Sequence, residues 1–282
     1  MSKFQNFLLY THIKMKKKSS IIIFTDLDGS LLDRDTFKFD TIKEYIKSLI
    51  NDGIIIIPNS SKTEREIEKF SMELGIALPY ISENGSAIHR LNLINQNFPN
   101  KIILSREKDE LIKIFDSKVP EKIRNKCLLI SKMNKKKQEK IFGQKDDKLR
   151  DVLSRNYTLP LLFNGEKKEK NKLLKILNKN SLTLQEGGRV SNLCDNVNKV
   201  KSMNKVIKIL KKTEDKIKTI AVGDNYNDLD MLKNSDVPCL VFNDQFKLDR
   251  INIDNLMFSN KPSPEGWADV IKKALAKLKY ND

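Results

Sequence analysis

"IIIFTDLDGSLLD", Ile21 to Asp33, is the stretch on which the fold turns. An apolar, β-prone run ends in two acids one residue apart, Asp26 and Asp28, and Gly29 follows at once. One acid after a strand is ordinary turn chemistry. Two carboxylates aimed at nearly the same spot repel unless something positive lies between them. Gly29 lets the backbone turn tightly there. The chemistry that needs two close carboxylates is the holding of Mg²⁺, which takes oxygen ligands, while one acid attacks an electrophile. An acidic turn with no chemistry has the same local sequence.

Outward from this stretch, strand and helix signals alternate. "DTIKEYIKSLIND" (40–52) puts Ile42, Tyr45, Ile46, Leu49 and Ile50 on one helical face, with Asp40 as its cap and Gly53 as its stop. "IIIIP" (54–58) predicts a second buried strand, "SKTEREIEKFSMELG" (61–75) a helix, and "PYISENG" (79–85) a third strand. Continuous apolar strands separated by helices imply a parallel sheet covered on both faces. From about Ser86 to Asn198 the rhythm changes to helices mixed with hairpin-like strands ("YTLPLLFNG", "SLTLQEGGRVSNLC"), with a very polar surface segment at 131–151. The first pattern then returns through "IKTIAVGD", "YNDLDMLKNS", "VPCLVF" and "PEGWADVIKKALAKLK". The expectation is an α/β parallel-sheet core, residues 20–88 and 197–282, interrupted by an inserted α+β domain at 89–196. An extension at 1–19 precedes it, in which Met15 is a second candidate start.

Composition narrows the classes. The chain has 282 residues, 39% of them hydrophobic, and no apolar run near the roughly 20 residues of a membrane span. Cys127, Cys194 and Cys239 are odd in number and scattered, which suits reduced thiols in the cytoplasm better than a disulfide frame. His12 and His89 are too few and too isolated for a metal site or a Ser-His pair, so any metal must be held by oxygen. The net charge of +16 raises nucleic-acid binding as a rival function. Only 9 of the 53 basic residues are Arg, however, and the lysines are spread along solvated helix faces. Neither a nucleic-acid partner nor a membrane is expected; an anionic small substrate is.

Three further motifs follow predicted strands, and in an open parallel sheet such loops share one edge where ligands bind. "PNSSKT" places Ser60 and Ser61 before a helix whose free N–H groups favour a phosphate. "NVNKVKSM" offers Lys199, with Lys201 and Lys205 as competitors at the same junction. "VGDNYNDLDML" puts Gly223 and Asp224 in a turn, with Asn227 and Asp228 just beyond. Four acids in one crevice call for a divalent cation, with some as ligands and others orienting them.

In order along the chain, these motifs resemble those of the haloacid dehalogenase superfamily: Asp-x-Asp-Gly-Ser, a Ser, a Lys and a Gly-Asp-x-x-x-Asp. The insert resembles its type C2, subclass B cap. "FTDLDGSLLD", "NSSKTEREIE", "ISENGSAI", "SRNYTLPLLFNG" and "EGGRVSNL" are similar to the mannosyl-3-phosphoglycerate phosphatases, the related glucosyl-3-phosphoglycerate enzymes included. The resemblance implies a Mg²⁺-dependent phosphatase that serves compatible-solute synthesis. In it Asp26 is the nucleophile and Asp28 the general acid and base. Ser60 and Lys199 steady the transferring group, and the metal group is Asp26, Asp28, Asp224, Asn227 and Asp228. Gly29, Ser61, Lys62 and Gly188 are implied to meet substrate. Arg155 and Arg189 are candidates for the glycerate carboxylate, and Glu83 and Asn84 for sugar hydroxyls. A cap hinge is expected near 86–90 and 194–198. Arg155-Asn156, Leu159-Pro160 and Lys199-Val200 depart from the usual residues of that family, which bears on the choice of sugar. A broader sugar-phosphate phosphatase and a phosphomutase share the same core residues.

Overall fold

The computed structural model describes residues 20–187, 189–244 and 251–280. The expected N-terminal extension, His12 and Gly188 lie outside the described residues. The chain opens with β1 (Ser20–Thr25), α1 (Lys43–Asn51), β2 (Ile55–Pro58), α2 (Glu64–Leu74), β3 (Tyr80–Ser82), β4 (Ala87–His89) and β5 (Lys101–Ile103). There follow α3 (Lys108–Lys118), α4 (Glu121–Arg124), β6 (Cys127–Leu129), α5 (Lys135–Phe142), α6 (Asp146–Leu153), β7 (Leu159–Phe163), α7 (Lys167–Lys179), β8 (Leu182–Glu186) and β9 (Ser191–Asp195). It closes with α8 (Lys199–Leu210), β10 (Ile217–Gly223), α9 (Leu229–Lys233), β11 (Val237–Leu240), β12 (Met257–Phe258) and α10 (Glu265–Tyr280).

The main sheet has the order β12-β11-β10-β1-β2 and is parallel throughout. The interior strand β1, between β10 and β2, explains its own apolar run. Alternate side chains leave opposite faces of a strand, so a strand covered on both faces needs apolar residues at every position. Ile23 joins Ile46, Leu49, Trp267 and Ile271 on one face. Ile22 and Phe24 join Met203, Val206 and Leu210 on the other. The single tryptophan, Trp267, donates its indole N–H to Thr25 Oγ1 at 2.9 Å and so fixes the end of β1 just before Asp26.

The third predicted strand leaves this sheet. β3 is hydrogen-bonded to the β2 end only through a bridge between Asn59 and Ile81, and pairs antiparallel with β4, which pairs with β5. Pro58 supplies the reason. The Asn59 N–H reaches back to Thr25 and the Ser60 N–H outward to Ile81, so position 58 faces β3, and proline has no N–H to give.

A change in packing marks the insert later than position 89. Ile88, Leu91, Ile94, Phe98, Ile102 and Leu104 pack in the same hydrophobic cluster as Ile22 and Phe24. Residues 89–104 therefore adhere to the core. A separate cluster begins with Leu111 and Phe115 and includes Leu161, Leu173 and Leu193, around the antiparallel sheet β6-β7-β9-β8. The two chain crossings sit at 105–106 and 195–196, where Arg106 grips the Asp195 carboxylate with its backbone N–H at 2.5 Å and its Nε at 2.9 Å. The expected hinge at 86–90 lies inside the core cluster; the one at 194–198 coincides with a crossing.

Other local differences have simple causes. Asp40 sits in a 3-10 turn with no capping bond from its side chain, so α1 starts only at Lys43. The polar 131–151 segment forms α5 and α6, and Ile130, Phe142, Leu149 and Val152 make a small cluster of their own with Val190. His89 does pair with a serine: its Nε2 is 2.9 Å from Ser82 Oγ, and burial lowers its pKa to about 4. Both residues are buried within the β3–β4 hairpin and line neither cavity described below. Among the described residues no helix is long and apolar enough to cross a membrane.

Candidate active site

The C-terminal ends of β1, β2 and β10 come together because β1 lies between the other two, the topological arrangement in which open α/β sheets bind ligands. Asp26 extends from the end of β1 and Asp224 from the end of β10, with Asp228 at the close of the following 3-10 turn. Carboxylate oxygens of these three buried acids lie within 4.8 Å of one another. Residues nearly two hundred positions apart in sequence thus form one group.

Each acid has a distinct set of partners. Lys199, the first residue of α8, is buried and places its ammonium 2.5 Å from Asp26 and 2.7 Å from Asp228. Lys201 instead lies exposed against Asn196, so the geometry selects Lys199 from the neighbouring lysines. The other oxygen of Asp228 accepts the backbone N–H groups of Asp224 and Asn225, each at 3.2 Å, and shapes their loop. Asp224 accepts from Ser30 Oγ at 3.1 Å, Asn243 Nδ2 at 3.0 Å and the Arg34 guanidinium. Gly29, at φ +81°, brings its backbone against this carboxylate: a Cβ there would lie 2.7 Å from Asp224 Oδ2.

Crowding shows in the acid strengths. Burial raises the pKa of Asp26; Lys199 opposes that, and Asp228 adds to it. Asp224 is pushed up to about 8 by burial and by the charges of Asp228 and Asp26, against the pull of Arg34. Burial also raises Asp28, with Lys62 opposing and Asp26 reinforcing. Three carboxylates share two cationic partners, Lys199 and Arg34, and offer only hard oxygen donors. That donor set fits a divalent cation of the Mg²⁺ type. Asp26 and Asp224, at the ends of β1 and β10, would hold it, with Asp228 beside them bonded to Lys199 and to the 224–225 backbone. Asn227 lines the neighbouring cavity from an exposed position, and Asp28 turns away toward Lys62, 2.8 Å distant.

The serine motif behaves differently from its expectation. The Ser60 N–H is spent on Ile81, and its buried hydroxyl accepts the Lys62 N–H at 3.3 Å. α2 begins at Glu64 with a closed capping box: the Thr63 hydroxyl accepts from Glu66 N–H, and the Glu66 carboxylate from Thr63 N–H. With the Thr63 and Glu66 N–H groups already met, this helix end is partly closed to an anion. Ser61 and Lys62 do line the cavity, and Lys62 reaches Asp28 and Glu66 together. Its ammonium is held firmly protonated by those two carboxylates.

Above the acids lies a cavity of about 340 Å³, roofed by the inserted domain and lined among others by Arg34, Lys62, Arg155 and Arg189. Arg155 and Arg189, the candidates for the glycerate carboxylate, both line it. Arg155 donates to Ser61 O and Thr158 Oγ1, both at 3.1 Å, and Arg189 donates to Phe142 O and lies over Phe37. Asn84 also lines the cavity; Glu83 does not. Its buried carboxylate accepts Asn156 N–H at 2.8 Å, Tyr157 N–H at 3.1 Å and Thr158 Oγ1 at 2.6 Å, which commits it to the inserted domain rather than to a sugar. Sequence reasoning missed Arg34, Ser30, Asn243 and Asn192. Arg34 carried a signal, because an arginine in so lysine-rich a chain stands where a planar fork is needed.

A family model described as haloacid dehalogenase-like hydrolase matches residues 23–251. The chain belongs to that family. It is similar to a glucosyl-3-phosphoglycerate/mannosyl-3-phosphoglycerate phosphatase of Methanococcoides burtonii, 30% identical over 278 residues covering 91% of this chain and 97% of the relative. A protein of the same description from Persephonella marina is 27% identical, covering 92% of this chain and 98% of its own length. Among solved structures, a phosphatase of this superfamily from Bacteroides thetaiotaomicron superposes with a TM-score of 0.66 at 13% identity, over 90% of this chain and 95% of that one. The fold is the Rossmann-like core with an inserted cap.

Proposed function

We propose that this phosphoric monoester hydrolase removes phosphate from a glycosyl-3-phosphoglycerate, mannosyl- or glucosyl-3-phosphoglycerate, in a Mg²⁺-dependent reaction through an aspartyl-phosphate. The supporting observation is the convergence of Asp26, Asp224 and Asp228 on Lys199, beneath a cavity lined by three arginines. Dianionic phosphate and a carboxylate are the ligands for which such cationic forks are suited. The phosphatase names of the relatives point the same way.

In this reading an Asp26 oxygen forms a bond to phosphorus as the bond from phosphorus to the glycerate oxygen breaks. Asp28 gives its proton to the departing oxygen; its raised pKa favours the protonated form needed for that step. Asp28 then takes a proton from the water that attacks the aspartyl-phosphate, releasing phosphate and restoring Asp26. Lys199 keeps Asp26 oriented and offsets negative charge, and Asp228 holds Lys199 and the 224–225 loop in place. A bound divalent cation, held by Asp26, Asp224 and the Asp28 carbonyl, would neutralise charge on the phosphoryl oxygens. The cap is the unit at 105–195, and it excludes bulk water when seated. The three buried, unbridged thiols fit a cytoplasmic setting.

The test is a phosphate-release panel of mannosyl- and glucosyl-3-phosphoglycerate, sucrose-6-phosphate, hexose phosphates and phenyl phosphate, with and without Mg²⁺. Preference for a glycosyl-3-phosphoglycerate by tenfold or more in kcat/KM, lost in Asp26→Asn, is the expected result. Equal rates across the panel would instead mark a broad sugar-phosphate phosphatase.

A further inference from the structure

Besides Asp28 Oδ1, which faces the Lys62 ammonium, two buried atoms on described residues that line the main cavity have no hydrogen-bond partner: Asn192 Oδ1 and Arg155 Nε. Their chemistry is opposite. Arg155 Nε is a donor and needs an acceptor, which a phosphate or carboxylate supplies. Asn192 Oδ1 is an acceptor and needs a donor. A phosphate dianion and a carboxylate carry no proton to give, so the anionic end of a substrate leaves Asn192 unsatisfied. Only a hydroxyl-bearing part of the ligand, or water where no ligand reaches, can complete it.

The position of Asn192 is built rather than incidental. It lies on β9, opposite Gln185 of β8, and is 4% exposed. Its neighbour Leu193 points into the cap core, so strand alternation turns Asn192 toward the cavity. Beside this cavity a second one of about 370 Å³ opens, and Asn84, Glu186, Gly187, Asn225 and Asn227 line both. The second space holds Gln185, Asn198, Lys199 and Tyr226 in place of the arginines, and Asn192 stays on the side of the first.

We propose that Asn192 is a specificity-determining residue that accepts a hydrogen bond from a hydroxyl of the substrate's neutral polyol group within the main cavity, while the anions lie against the arginines. This assignment rests on the function proposed above for its choice of substrate. It names which side chain of the cap reads the sugar, and by what atom.

The experiment compares wild type with Asn192→Leu, which keeps side-chain size and removes the acceptor. Each protein is assayed on glucosyl- or mannosyl-3-phosphoglycerate and on phenyl phosphate, which has no hydroxyl to offer. A neutral hydrogen bond lost in a buried site predicts a fall of about 5- to 30-fold in kcat/KM on the glycosyl substrate. On phenyl phosphate the change stays within about twofold. Singly deoxygenated hexose substrates give the second measurement. One of them loses activity on wild type but loses nothing further on N192L, because the same bond is already gone. Equal losses on both esters, or full additivity with every deoxy substrate, overturn the assignment. If wild type shows no preference for glycosyl-3-phosphoglycerates, the proposed function fails separately. Asn192 is then decided on hexose phosphates against phenyl phosphate by the same criterion.

Discussion

Replacing Lys199 with methionine removes the only cation that touches both Asp26 and Asp228 among the described residues. Two contacts are lost, of 2.5 Å and 2.7 Å, in a setting where lysine and both acids are buried. Taking one partner from a buried, paired charge costs about 3–5 kcal/mol, mostly because the abandoned carboxylates stay desolvated. The rate should fall by about 10²–10³-fold in kcat, the usual consequence of deleting one preorganised electrostatic contact beside the reacting group. The pH dependence is more diagnostic. Lys199 is what opposes the upward shift of Asp26, so without it that folded-state pKa rises further above its unfolded value. A group shifted in this direction favours folding fully below its unfolded pKa and loses that contribution as pH rises through the folded one. The Tm deficit of K199M relative to wild type, in metal-free buffer, should therefore be smallest at or below the ordinary carboxylate range and grow as pH rises above it. Thermal melts at four pH values and single-turnover phosphate release check both parts. A deficit independent of pH, or activity within threefold of wild type, would refute the role given to this lysine.

Three other outcomes follow from the same geometry. In wild type without metal, Asp224 with its pKa near 8 favours folding below the ordinary carboxylate range and loses that contribution up to about pH 8; Tm should fall across that window, and Mg²⁺ should restore most of it at the alkaline end. Gly29→Ala meets both a positive φ and a 2.7 Å clash with Asp224 Oδ2; a loss of about 1–3 kcal/mol in denaturant titration and a raised Mg²⁺ requirement are expected. Glu83→Ala strips the acceptor from three donors of the 156–158 segment; urea titration should show a loss of about 2–3 kcal/mol, with KM and kcat changing together.

What the sequence made legible was mostly what is local. The run into Asp26, the turn at Gly29 and the strand ending in Gly223-Asp224 are each short-range patterns, and the parallel-sheet edge then brings them together. The choice between Lys199 and Lys201 was not legible, because both sit at one junction and only the direction of α8 separates them. Pro58 contained the reason β3 leaves the sheet, but reading it requires knowing which edge of β2 position 58 faces. The cap boundary was displaced because the β4–β5 hairpin looks like the insert in sequence, yet buries Ile88 and Ile102 with the core. Arg34 and Asn243 converge on Asp224 through loops whose paths no periodicity encodes.

The grip of Arg106 on Asp195 fastens the outgoing and returning strands of the cap at one point. Two separated tethers would confine the roof to turning about the line that joins them; a single pivot leaves it free to swing and twist. The far side of that arc is where Arg155 meets Ser61 and Thr63 meets Asp151 O. Admission of a ligand thus becomes a rotation resisted at its rim, and the stiffness of the pivot decides how reproducibly Asn192 and Arg155 return to the same place after every turnover.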